Sequence, residues 1–160
     1  MPYVQWQQML DPSAPPGRCH YWKSVNFESL SDSAIDMLAS AADARPTPFT
    51  ELHLQHMGGA VARMPRSECA FAHRDARFFA NLIGATVDRS DFEPLRAWIR
   101  RLHAELSSHA MPGSMPNFAD ADDQDPVTRF GNDHARRLQE LRTRYDPTGL
   151  FSGTRHAGGA

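Results

Sequence analysis

The stretch ELHLQH at 51–56 sets the residue types of acid–base chemistry at alternating positions. In an extended strand, side chains two apart project from one face. Glu51, His53 and Gln55 would then share one side, and Leu52 and Leu54 the other. A carboxylate beside an imidazole can accept and pass on a proton, so Glu51 and His53 are candidate catalytic residues and Gln55 a candidate substrate contact. The alternative is a polar, solvated sheet face. His53 and His56 are three apart, which on a strand aims them at opposite faces, so no metal site is expected there. ADADDQD at 119–125 lacks the glycine and terminal glutamate of a calcium loop and is expected to be a solvated acidic loop. In the same way, Arg96, Arg100 and Arg101 are expected on a solvated helix face, and Arg74 and Asp75, after His73, as a structural ion pair. Met57, Met64, Met111 and Met115 either line an apolar pocket or fill the core.

Few elements are needed to position these residues. The Pro-rich segment 1–17 is expected to be an extended arm. RCHYWKSVNF at 18–27 has the aromatic and β-branched content of a strand. SLSDSAIDMLASAADA predicts a helix capped by Ser31 or Ser33, with Ile35, Leu38 and Ala42 inward, ended by Pro46 and Pro48. After the strand at 51–56, Gly58 and Gly59 mark a bend and AVARM at 60–64 is expected to resume as a strand. ECAFAHRDARFFANLIGATVD at 68–88 predicts two short strands turning near Arg74 and Asp75, or one long bulged strand. SDFEPLRAWIRRLHAELSSH at 90–109 predicts the clearest helix, with a Ser90–Glu93 capping box and a stripe of Leu95, Trp98, Ile99, Leu102 and Leu106. A loop follows, with at most a short strand at 115–119. The last helix is expected from about Phe130 to Tyr145, with Ala135, Leu138, Leu141 and Tyr145 inward and Pro147 as its stop. The fold class expected is α+β, an antiparallel sheet with helices packed mainly on one face.

Composition bounds the function classes. The chain has 160 residues, 41% hydrophobic and 22% charged, with a net charge of -2, which suits a single soluble domain and excludes a strongly basic nucleic-acid or membrane surface. Cys19 and Cys69 make neither a metal-type spacing nor a disulfide framework, so a cytoplasmic location is expected. The N-terminus lacks the charged start and apolar run of a signal peptide.

Five motifs occur in a characteristic order: YWKS at 21–24, GGAVARMP at 58–65, AFAHRDA at 70–76, PNF at 116–118 and RL..LR.RYDPTGLF at 137–151. In that order they resemble the C-terminal half of berberine-bridge-enzyme-like FAD-linked oxidases of the vanillyl-alcohol oxidase superfamily. The resemblance covers nearly the whole chain. It implies a substrate domain over 18–151, after the arm at 1–17 and before a flexible tail at 152–160. It also implies an antiparallel sheet that roofs a flavin bound by a separate domain. The substrate implied is a small aromatic, sugar or polyketide-like alcohol or amine, and the reaction is hydride transfer to FAD followed by reoxidation by oxygen.

Four departures from the family pattern qualify what carries over. The FAD-binding domain is not among these residues, nor is a flavin-linking histidine or a glycine-rich pyrophosphate loop. The family's Tyr-x-Asn motif is matched by SMPNF, so Met115 stands for the tyrosine and Asn117 alone remains as a cofactor contact. The position near Ala80, where plant members carry a base glutamate, has no acid–base group. Gly149 stands for the asparagine of the family's DPxNLF. The expectation is therefore an oxidase-type domain that needs a separate FAD-binding partner and is not an active oxidase alone. The substrate pocket would be lined by Gln55 and Met115. The alternative is a flavin-free small-molecule binder or enzyme. An exposed apolar sheet face or edge would favour a homodimer or a heteromer.

Overall fold

The computed structural model describes residues 1–9, 11–13, 15–120, 122–123 and 126–151. Three strands, β1 (Cys19–Phe27), β2 (Glu51–His56) and β3 (Phe78–Thr86), form one antiparallel sheet in the order β1-β3-β2. β3 is central and almost entirely buried, as its run of apolar and small residues requires of a strand covered on both sides. Two long helices, α2 (Asp32–Asp43) and α4 (Phe92–Ser107), lie on one face, with α4 across β1 and β3. The α+β class and the one-sided helix layer are as expected.

The core is the seam between α4 and the sheet. Tyr21, Val25 and Phe27 from β1, with Ala80 and Leu82 from β3, meet Ile99, Leu102 and Leu106 from α4. Leu95 is also buried, and Trp98 packs at the margin, so the stripe expected of this helix is the one observed. Pro94 sits in the first turn, where a missing N–H costs nothing. The expected Ser90–Glu93 capping box does not form. A 3-10 turn at Arg89–Asp91 leads into the helix instead, and Glu93 pairs with Arg96 at 3.1 Å. Gly84 is the close-approach point of the sheet, since a Cβ there would lie 3.0 Å from Leu95 Cγ and 3.1 Å from Ile99 Cγ1.

α2 begins where expected, with Ser31 Oγ accepting from the Ala34 amide at 3.2 Å. Its buried residues are Ala34 and Ala41, whereas Ile35 is 47% exposed. Leu38 packs against the core as expected, together with Met37, so the buried face runs through Ala34, Met37, Leu38 and Ala41 and leaves Ile35 outside it. Arg45 closes the C-terminus by donating to the Ala42 carbonyl at 2.8 Å.

Four other expectations are corrected. The arm at 1–17 is exposed but not wholly extended: α1 (Tyr3–Gln7) and a 3-10 turn at Asp11–Ser13 occupy part of it. AVARM does not resume as a strand. Gly59 takes φ +64°, a conformation that reverses the chain, and α3 (Ala60–Arg63) follows. The 68–88 region yields only the one nine-residue strand β3, preceded by a loop. Segment 115–119 holds a 3-10 turn at Pro116–Phe118, because Pro116 cannot donate to a ladder.

The last helix, α5, spans Pro126–Tyr145 and is broken at Gly131 (φ 72°). Its expected inward stripe is largely open: Leu141 is 41% and Tyr145 68% exposed. Hydrogen bonds tether its N-terminal half. His73 Nε2 lies 3.0 Å from the Arg129 carbonyl, and His134 Nε2 lies 2.9 Å from the Cys69 carbonyl. The helix stops as expected before Pro147. Asp146 then accepts from the Leu150 and Phe151 amides at 2.6 and 2.9 Å, and Gly149 takes φ +68°. Glycine and asparagine are the residues that reach this conformation most readily, so the exchange of one for the other preserves the turn. The tail at 152–160 lies outside the described residues.

Truncating Ile99, which is 0% exposed, is expected to destabilise the domain by about 2–5 kcal/mol. A urea denaturation midpoint within error of the parent for Ile99→Ala would show that this seam is not the core.

Candidate functional site

The sheet face away from the helices carries the polar residues. β1 and β3 pair Asn26 with Phe79, Ser24 with Asn81 and Trp22 with Ile83, while β2 and β3 pair Gln55 with Phe79, His53 with Asn81 and Glu51 with Ile83. Directly paired residues share a face. Ser24, Asn81 and His53 thus form one row, with Glu51 and Gln55 on either side of His53. The strand pairing brings Glu51 and His53 together: His53 Nε2 lies 2.8 Å from Glu51 Oε2, with the imidazole 47% and the carboxylate 34% exposed. Gln55 is on the same open strip. On the opposite side of β2, Leu54 is 49% exposed because the helix layer stops short of this outer strand.

The β1 half of this face is closed. Residues 111–120 leave the end of α4, run along the outer edge of β1 and cover it. The Met111 amide donates to the Asn26 carbonyl at 2.8 Å, and Asn26 Nδ2 to the Gly113 carbonyl at 3.2 Å. The Met115 amide donates to Ser24 Oγ at 2.9 Å. Phe118 packs on Phe79 and Trp22, with ring centroids 5.2 and 6.3 Å apart. Met115 is itself buried, and Asn117 is exposed at the rim. Asn26, Asn81 and Ser114 are all buried, yet Asn26 Oδ1, Asn81 Oδ1 and Ser114 Oγ find no hydrogen-bond partner in the protein. Such orphaned acceptors are costly unless water or a ligand reaches them.

Ala80 points the other way, into the helix-side core, where it is 1% exposed. The residue of β3 that faces the open side is its neighbour Asn81. Met57 lies in the loop after β2 and Met64, 44% exposed, directly follows the short helix α3.

A second polar cluster lies around the β1 edge on the helix side. Lys23, 7% exposed, donates to Asp122 Oδ1 at 3.0 Å and to Asp123 Oδ1 at 2.6 Å. Tyr21 donates to Asp122 Oδ2 at 2.6 Å, and Arg100 Nη2 reaches the same oxygen at 2.6 Å. Asp122 and Asp123 of the acidic loop are therefore bound rather than solvated, and Arg100 is one of their partners, while Asp125 lies outside the described residues. Burial would raise the Asp122 carboxyl, but the hydrogen bonds from Tyr21, Arg100 and Lys23 outweigh it and hold the group well below the usual carboxylate range. Burial alone would lower Lys23, yet its bonds to Asp123 and Asp122 raise it. Burial, then the bond to Asp122, pushes the Tyr21 phenol up. Burial and the charge of Lys23 lower His103 on α4. A run of aspartates reads as a solvated loop, so composition gave no sign of this cluster. The one available clue was a lysine on the strand face that also carries Tyr21, Val25 and Phe27.

The HRD segment is structural, with partners other than those expected. Arg74 donates to the Val61 carbonyl at 2.9 Å and to Cys69 Sγ, while Asp75 pairs with Arg66. The Arg74 bond, then the Phe71 backbone, lowers the Cys69 thiol. Among the described residues no three His, Cys, Asp or Glu side chains converge as metal ligands, and no helix is long and apolar enough to cross a membrane. Two concavities lie away from the polar face. One of about 490 Å³ separates α2 from α4, and one of about 980 Å³ separates the 67–70 turn from α5.

Known proteins share this fold over part of their length. An FAD-linked oxidoreductase of Dictyostelium discoideum is 28% identical over 156 residues, covering 94% of this chain and 33% of that protein. The solved structure of BBE-like #28 from Arabidopsis thaliana superposes with a TM-score of 0.74 at 18% identity, over 84% of this chain and 32% of that one. CrmK, a flavoenzyme involved in shunt product recycling in caerulomycin biosynthesis, superposes with a TM-score of 0.72 at 22% identity, over 92% of this chain and 34% of that one. No protein-family model matches. The fold is thus that of a segment of berberine-bridge-like flavoenzymes, and the resemblance to FAD-linked oxidases expected from the motifs is shown. The chain spans about a third of the length of the curated relatives it matches.

FAD is the cofactor this family implies. Glu51, His53 and Gln55 offer hydrogen-bonding groups on the open strip of the sheet, whereas the orphaned Asn81 acceptor beside them is buried. A pyrophosphate cradle is not found among the described residues: the first turn of α2 is already capped by Ser31, and α4 begins on a 3-10 turn.

The Asp122 cluster sets a pH dependence. Its carboxyl, faced by Tyr21 and Lys23 from β1, by Arg100 and His103 from α4 and by Asp123, titrates lower folded than unfolded. Its contribution is present above about pH 4 and is lost as pH falls through the folded value. Lys23 titrates higher folded than unfolded, so its contribution is present below about pH 10 and is lost as pH rises further. Asp122→Asn is expected to lower the thermal midpoint at pH 7 and to approach the parent as pH falls below about 4. Equal midpoints at pH 7 would refute the pairing.

Proposed function

We propose that this chain is the substrate-facing domain of an FAD-linked oxidoreductase, completed by a separate flavin-binding unit that covers the open strip of β2. The observation that carries the proposal is the Glu51–His53 pair at 2.8 Å, held on the face opposite the helices and beside the buried Asn81 acceptor. In this reading Gln55 and Asn117 hold the substrate or the ring edge, and Met115 forms the apolar floor of the pocket. FAD, when bound, supplies the hydride acceptor for oxidation of a small alcohol or amine. The protein's own task is the proton. His53, oriented by Glu51, accepts the proton of the substrate O–H or N–H, and the carboxylate stabilises the imidazolium that results. Phe118 and Trp22 keep water from the β1 side.

The relatives' names and the shared fold support the flavin part of this reading, and the strand geometry supports the proton part. Exposed apolar residues at the end of α5 and beyond it, Tyr145, Leu150 and Phe151, support association with the flavin-binding unit or with a second copy. The orphaned acceptors favour a second reading, a flavin-free binder of small hydroxylated or amino ligands at the same face.

Two measurements separate the readings. FAD added to the purified chain and passed through gel filtration is expected to elute free, leaving a clean protein spectrum. Retained flavin bands would overturn the need for a separate unit. Titration with small alcohols and amines, followed by amide and imidazole chemical shifts, is expected to perturb Glu51, His53 and Gln55 weakly and only when the flavin-binding portion of a relative is supplied. Strong shifts without it, abolished in His53→Ala, would establish the flavin-free binder, and no shifts in either state would sink both.

A further inference from the structure

We infer that Asp122 and Asp123 act as a clasp that holds the strap, residues 111–120, closed over the buried polar row, and that release of the clasp is the route by which solvent or a ligand reaches Ser24, Asn26 and Asn81. The inference concerns access to the face and holds whether or not a flavin unit is involved.

The path of the chain carries it. The strap starts at the end of α4 on the helix side. It pairs with the outer edge of β1 through Met111 and Asn26, then lays Met115 and Phe118 on the opposite face, against Ser24, Phe79 and Trp22. Asp122 then lies back on the helix side, bonded to Tyr21, Lys23 and Arg100. Tyr21 and Lys23 point to the face opposite Trp22 and Ser24, as alternation along β1 requires. The chain thus wraps three sides of an edge strand.

The two ends of the wrap differ in strength. On the polar face the strap is held by two neutral amide bonds from Met111 and Met115, one side-chain bond from Asn26 and aromatic contact. None of these satisfies Asn26 Oδ1, Ser114 Oγ or Asn81 Oδ1. A closed strap therefore keeps these acceptors from water at a cost. On the helix side the closure is charge-assisted, and Lys23 is nine-tenths buried between two carboxylates. Removing the carboxylates leaves a buried ammonium uncompensated, while opening the strap would hydrate both it and the orphaned acceptors. Both effects act in the same direction, so the clasp and the strap should open together.

Amide hydrogen exchange on the whole chain tests this. In the double variant Asp122→Asn, Asp123→Asn, exchange at the Met111, Met115 and Phe118 amides is expected to accelerate by about tenfold or more, while the Ile83 and Ile99 amides keep the parent rates. Acceleration confined to these amides, with greater acrylamide quenching of Trp22 in a Trp6→Phe, Trp98→Phe background, supports the clasp. Unchanged exchange at Met111 and Met115, or acceleration only in step with Ile83 and Ile99, overturns it. Should the double variant not fold, Arg100→Gln decides. Arg100 is partly exposed and contributes one arm of the clasp, so a smaller acceleration at the same three amides is expected, and none would refute the inference.

Discussion

The register of the central strand is the constraint on which the remaining structure depends. β3 pairs with β1 on one side and β2 on the other, and both pairings place Asn81 opposite a polar residue, Ser24 or His53. A slip of one residue would turn Ala80, Leu82 and Gly84 to the polar side and drive Asn81 into α4. The close approach at Gly84 makes that slip costly, because only a residue without Cβ lets Leu95 and Ile99 come so near the sheet. The helix packing thus locks the register, and the register assembles the polar row and the Glu51–His53 pair.

Both edges of the sheet are exposed by the topology, and they are treated differently. The β1 edge is bridged at Met111 and wrapped by the strap, which blunts it against pairing with other chains. The β2 edge has no such cover among the described residues, and its open strip carries the polar pair with alternating Leu54 on the other face. This asymmetry leaves one side of the face accessible and the other side shielded.

The charged cluster shows how the fold uses polar burial. Lys23 interrupts the otherwise apolar helix-side face of β1 at a position where it is 7% exposed, so its charge must be met within the protein. Asp122 and Asp123 meet it from about a hundred residues away in sequence. The same contact fixes a loop that would be solvated by composition alone, and it joins the helix side of the domain to the strap on the other side.

Much of the secondary structure was legible in the sequence, because its signals are local. The 3.6-residue stripe of α4, the Ser31 cap of α2, the alternation of 51–56 and the stop at Pro147 each depend on neighbours within a few residues. Local signals failed where one glycine's backbone or a partner far away decided the conformation. AVARM has strand-like composition, but Gly59 reverses the chain and the segment becomes a helical turn. Ile35 has the hydrophobicity of a core residue, yet α2 turns Ala34, Met37, Leu38 and Ala41 to the core and leaves Ile35 half exposed. Of the site, the strand alternation alone put Glu51, His53 and Gln55 on one face. Their placement beside Asn81, the closure of the β1 half by Met115 and Phe118, and the binding of Asp122 and Asp123 by Lys23 needed the tertiary structure. These are contacts between segments distant in the chain, set by strand register and by the need to compensate a buried charge, and no periodicity in the sequence encodes them.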